Sequence, residues 1–203
     1  MTIKVGDKLP EAKFRVMTAE GPQVKTTDDI FKGKKVALFA VPGAYTGTCH
    51  KMHLPSIFLN AYAIKNKGVN TIAIVSVNDA FVMNAWKRDT DQRDEAVFLA
   101  DGNADFTKVI GMELDASGNG LGIRSHRYSM LVDDGVVKKL NLEPAPGKVE
   151  VSGGDTLLDS CKNFLAANSH SSSPGLTGRS STPRPRRISR TPLGYWIARL
   201  RGR

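Results

Sequence analysis

Three things are scarce in this 203-residue chain, and each absence excludes a class of protein. Cysteine occurs only twice, too few for the disulfide framework of a small secreted domain. No apolar run approaches the roughly 20 residues needed to cross a bilayer as a helix. The opening residues, MTIKVGDKLPEAKF, lack the basic-then-apolar order of a secretory leader. The expectation is a cytoplasmic protein in a reducing environment, with no membrane partner.

The third scarcity is local. From Asn168 onward there is no lysine and no acid, while eight arginines are present. The formal net charge of +9 comes almost wholly from that stretch, since the other 21 basic residues face 20 acidic ones. Residues 1–167 are therefore nearly neutral and carry no basic patch of a nucleic-acid binder. They form the expected folded domain. Residues 168–203, rich in Arg, Ser, Pro and Gly, form a separate tail with too little apolar surface to fold, and the expectation is disorder.

What is present reads as alternating strands and helices. KKVALFAVP (34–42) is a continuous apolar run between Gly33 and Pro42, the pattern of a strand buried on both faces. VNTIAIVSV (69–77) and AVFLADG (96–102) read the same way, and residues 127–142 read as two strands around an Asp-Asp-Gly turn. A helix is expected from Thr48, capped by its hydroxyl and kinked or interrupted at Pro55. A second follows Asn78-Asp79, a short one ends at Gly111, and a last one starts near Asp155 with Leu157, Leu158, Cys161, Phe164 and Leu165 on one face. This order specifies an α/β layered domain.

Cys49 lies in VPGAYTGTCHKM, where a strand passes through a Gly-containing loop into a helix. In the first helical turn, free amides and the helix dipole favour an anion, and a thiol reacts as its thiolate. A fast reaction needs more: donors aimed at the charge developing in the transition state. Thr46 supplies one hydroxyl, and a cation must come from elsewhere. Two other readings stay open on local sequence alone. Cys49 is an inert buried thiol, or it ligates a metal with His53, four residues on.

Beyond this point a family becomes visible. PGAYTGTC resembles the peroxiredoxin pattern P-x-x-x-T-x-x-C through Pro42, Thr46 and Cys49. HLPS, SVNDAFVMNAW, LADGNADFTKVIGMELD and GLGIRSHRYSMLVDDGVVKKLNLE are similar, in order, to the type II, atypical two-cysteine subfamily, over residues 3–165. The resemblance implies a thioredoxin-like fold with a central mixed sheet flanked by helices. It implies a thiol peroxidase without cofactor or metal. Cys49 would attack hydrogen peroxide or an organic hydroperoxide and become a sulfenic acid. Thr46 would hydrogen-bond thiolate and peroxide, Pro42 would shield the site, and Arg127 would be the missing cation, with Arg124 second in line. His53 and Trp86 are assigned to packing or hydrogen bonding, and His50 to the exposed surface.

Several positions depart from the pattern. Tyr45 stands where Phe is common, Gly47 where Pro is, and Ser56 where Gly is. Neither usual position of a resolving cysteine holds one: Ile74 occupies the first, and GKVEVSGG the second. Cys161 is out of register with both and reads as core. The resemblance then implies a one-cysteine cycle recycled by glutathione, glutaredoxin or thioredoxin, and a homodimer. The alternative is a redox sensor signalling through oxidised Cys49 with little turnover.

Overall fold

The computed structural model describes residues 2–91 and 93–169, with side chains through residue 161. The arginine-rich tail expected from residue 168 lies outside them, apart from the last two residues of the final helix. Seven strands form one mixed sheet: β1 (Lys13–Thr18), β2 (Gly21–Thr26), β3 (Lys35–Val41), β4 (Thr71–Ser76), β5 (Ala96–Ala100), β8 (Tyr128–Asp133) and β9 (Val136–Leu142). The order is β2-β1-β5-β4-β3-β8-β9. The middle strands β3, β4 and β5 run parallel, and the flanking pairs are antiparallel. Two short strands, β6 (Glu113–Asp115) and β7 (Ile123–Ser125), pair separately.

The apolar run of β3 is explained by its neighbours. Ala37, Phe39 and Val41 face one core cluster, and Val36, Leu38 and Ala40 face another. The first cluster is covered by α2 (Leu54–Asn66), α3 (Ala80–Thr90) and α5 (Gly154–Ser169). The second is covered by α1 (Thr27–Phe31) and α4 (Asp105–Val109). A strand with both faces covered has no polar face to show, so it loses the alternation of an exposed sheet.

The expected strands and the hairpin are present. Asp134 and Gly135 both have positive φ, 47° and 76°, which the tight β8–β9 turn requires. The β1–β2 hairpin was not legible, because among its residues only Phe14 is buried in the core. It is a sheet edge, which is also why Pro22 is tolerated in β2.

The helix after β3 differs from the expectation in two ways. It begins two residues earlier, with His50 N–H donating to Thr46 O, so Thr46 takes the cap position and Gly47 the first helical one. Thr48 does not cap; its hydroxyl donates to Gly147 O at 3.3 Å. Of the two outcomes expected at Pro55, the structure shows a distortion of the helix and not an interruption. Residues Cys49–His53 form a π turn in which Leu54 N–H donates to Cys49 O. Widening the turn displaces the carbonyl on which the Pro55 ring would press in a regular helix.

Candidate active site

The site lies where β3 ends. Val41 is its last residue, Pro42 follows and is buried, and the loop to Thr46 leads into the π turn. This crevice beyond the carboxyl ends of parallel strands is where open α/β sheets place their chemistry. Asn78, just past β4, holds the loop: its Oδ1 accepts from Ala44 N–H at 2.9 Å and from Ser76 Oγ at 2.7 Å. Thr46 closes the loop on itself, donating its hydroxyl proton to Gly43 O at 2.9 Å.

Cys49 is fully buried at the start of the π turn. Arg127 immediately precedes β8, whose Tyr128 pairs with Ala40 of β3. That register delivers the guanidinium to the loop after β3. Arg127 Nη2 donates to Cys49 Sγ at 3.2 Å. Two residues separated by 78 positions thus meet, as the motif resemblance requires. Arg124 does not compete: its Nε and Nη1 donate to Leu121 O and Val77 O at 2.8 and 3.1 Å.

Arg127 is only 2% exposed, so its charge must be satisfied internally. Nε and Nη2 both donate to Pro146 O, at 3.1 and 2.8 Å. Nη1 donates to His53 Nδ1 at 3.0 Å, and His53 Nε2 lies 2.9 Å from Ser152 O. A guanidinium only donates and a carbonyl only accepts, so His53 carries its proton on Nε2. Both of its ring nitrogens are occupied, which leaves none for the Cys49–His53 metal reading. Burial, with the nearby Arg127 charge, pushes its pKa down to about 4. Each acceptor on Arg127 is neutral unless Cys49 is a thiolate.

A second set of contacts ties the loop to α3. Trp86, fully buried, donates from Nε1 to His50 Nδ1 at 3.0 Å. Tyr45 stacks on His50 with ring centroids 5.8 Å apart and donates its hydroxyl to Asp89 at 2.6 Å. His50 is thus half-buried and hydrogen-bonded, not the exposed residue expected. Tyr45 also holds a left-handed backbone, φ 60°, a conformation a non-glycine keeps only when its surroundings impose it.

Cys161 sits on α5, 2% exposed, in the same apolar cluster as Leu157, Ile57 and Ala61. Burial pushes its thiol pKa up, the environment of an inert cysteine. The side chains of Phe164 and Leu165, expected on the same face, lie outside the described residues. Pro146, Ser152, Glu143 and Asn78 were missed as site residues. The first two act through backbone carbonyls, which leave no side-chain signature in a sequence.

Comparison with known proteins identifies the family. Residues 4–158 match the Redoxin family. Peroxiredoxin-2E of Arabidopsis thaliana chloroplasts is 46% identical over 160 residues, covering 77% of this chain and 68% of that one. Peroxiredoxin-2C of Oryza sativa is 42% identical over 157 residues, covering 77% and 96%. The structure of reduced Prx3 from Vibrio vulnificus in complex with hydrogen peroxide superposes with a TM-score of 0.75 at 48% identity, covering 79% and 99%. Fold, motif blocks and relatives converge: the chain belongs to the redoxin family and, within it, to the type II peroxiredoxins, thiol peroxidases built on a thioredoxin-like fold.

Proposed function

We propose that Cys49 is the peroxidatic nucleophile and that external thiols complete the cycle. The observation that carries this reading is the 3.2 Å contact between Arg127 Nη2 and Cys49 Sγ. A buried guanidinium whose other acceptors are neutral sets its charge and a donor directly against that sulfur, and a thiol reacts as its thiolate. The thiolate attacks the terminal oxygen of a hydroperoxide. An S–O bond forms, the O–O bond breaks, and the departing alkoxide or hydroxide takes a proton to leave as alcohol or water. Arg127 donors face the charge that develops on the breaking bond. Thr46, its proton given to Gly43 O, offers oxygen lone pairs to the O–H of the incoming peroxide.

The resulting sulfenic acid needs a reductant, and the buried position of Cys161 supports an external one. A first thiol condenses with Cys49–SOH, releasing water and leaving a mixed disulfide. A second thiol displaces Cys49 and forms the disulfide of the reductant. Glutathione, alone or through glutaredoxin, is the proposed donor, with thioredoxin the other candidate. A cytoplasmic setting would supply all three, and a homodimer is the proposed assembly. Steady-state peroxide consumption with each reductant tests the reading. Turnover with the glutathione couples and its loss in Cys49→Ser support it. Undiminished turnover in Cys49→Ser overturns it.

A further inference from the structure

Two of the carbonyls that hold Arg127 and its partner His53 belong to one loop. It leaves β9 after Leu142 and returns at Gly154, where α5 begins. Two of its carbonyls face the site: Pro146 O receives Nε and Nη2 of Arg127, and Ser152 O receives His53 Nε2–H. Carbonyls can aim a guanidinium only if the loop that carries them is itself held.

Glu143 holds it. Its backbone N–H donates to Arg127 O at 3.0 Å, tying the first loop residue to the strand position it serves. Its Oε1 accepts from Glu150 N–H and Val151 N–H at 2.8 Å each, from Ser152 N–H at 2.7 Å and from Ser152 Oγ at 2.8 Å. One oxygen therefore gathers the returning end of the loop onto its departing end. Glu143 is 4% exposed. Burial pushes its carboxyl pKa up, but the hydrogen bonds from Ser152, Val151 and Glu150 outweigh this and hold it below the usual range.

We propose that Glu143 is the positioning residue that sets Arg127 against Cys49, through Ser152 and His53 on one side and Pro146 on the other. It touches neither the thiol nor the guanidinium side chain. The contacts run from Glu143 to Ser152, from Ser152 O to His53, from His53 to Arg127 and from Arg127 to Cys49. The carboxylate form matters. Oε2 is buried without a hydrogen-bond partner, so the NH₂ of a glutamine at that place would be buried with nothing to receive it. A neutral oxygen also gathers four donors less strongly than a charged one.

This role rests on the reading of Cys49 and Arg127 given above, but its test does not need peroxide turnover. The pH dependence of Cys49 alkylation by iodoacetamide, read on the Cys49 peptide by mass spectrometry, reports how strongly Arg127 favours the thiolate. In folded Glu143→Gln and Glu143→Ala proteins the alkylation midpoint is expected to rise by about one pH unit. The second-order rate of Cys49 oxidation by hydrogen peroxide is expected to fall on the order of tenfold. Lys148→Ala, which removes an exposed side chain of the same loop that pairs with the Glu150 carboxylate and makes no bond to Glu143, should change neither. If the Glu143 variants do not fold, Ser152→Ala decides: it removes one donor to Oε1 and keeps the Ser152 carbonyl on His53. A raised midpoint there supports the proposal. An unchanged midpoint in whichever variants fold overturns it. A wild type in which peroxide leaves Cys49 untouched sinks the peroxidatic reading instead, and the alkylation profile still judges Glu143.

Discussion

His53 accepts a hydrogen bond from Arg127: Nδ1 and Nη1 are 3.0 Å apart. Protonated His53 would turn an N–H toward a guanidinium that can only donate. The folded protein therefore keeps this histidine neutral, and its pKa is pushed down from 6.5 to about 4, chiefly by burial. The unfolded chain protonates it at the ordinary value. As pH falls below about 6.5 the unfolded state binds more protons, so stability declines until the folded state also protonates near 4. The loss approaches about 3 kcal/mol across that window. Urea unfolding between pH 7 and 4 should show it, and His53→Gln, which does not titrate, should flatten the same profile. An equally steep decline in His53→Gln would refute this origin.

Arg127 fixes three donors with one planar group, two of them on a single carbonyl. Lysine keeps the charge but not the fork. Arg127→Lys is expected to lower the second-order rate of Cys49 oxidation on the order of 10²-fold, within the range for losing a transition-state donor. Stopped-flow tryptophan fluorescence, with Trp86 bonded to His50 beside Cys49, provides the signal.

How much of this was visible beforehand depends on where each interaction lives. Cys49, Thr46 and Pro42 lie within one short motif, and Arg127 was placed beside them by a run of matching blocks. The brace around Arg127 was not visible, because Pro146 and Ser152 contribute carbonyls that any residue would carry. His53 was assigned to packing or hydrogen bonding, which holds, but its particular partners depend on the sheet register. The π turn is not legible in the sequence, because Pro55 is compatible with a break, a kink or a widened turn before it. The edge hairpin escaped because an edge strand buries few side chains. His50 was misplaced because its contact with Trp86 joins elements 36 residues apart.

Cys161 lies in the core with its thiol pKa raised by burial. Cys161→Ser should leave steady-state peroxidase turnover within about twofold of wild type. It should cost about 1–3 kcal/mol of stability by placing a hydroxyl among apolar side chains. An intramolecular Cys49–Cys161 disulfide on non-reducing peptide maps after peroxide treatment would contradict the one-cysteine cycle.

Gly47 does not need to be glycine. It occupies the first helical position without a positive φ, and a Cβ added there meets nothing within 4 Å. Proline is favoured at that position and removes freedom from the unfolded chain. Gly47→Pro is expected to stabilise the protein by about 0.4–1 kcal/mol, seen as a higher midpoint in denaturant. A lower midpoint would mean that the loop requires the Gly47 amide or its flexibility.

Of the two cysteines, Cys49 is the one proposed to take oxygen from peroxide. One equivalent of hydrogen peroxide, added to reduced protein with dimedone present and without reductant, tests it in a single turnover. A dimedone adduct is expected on the Cys49 peptide and none on the Cys161 peptide. An adduct on Cys161, or an unmodified Cys49 after the peroxide has been consumed, would contradict it.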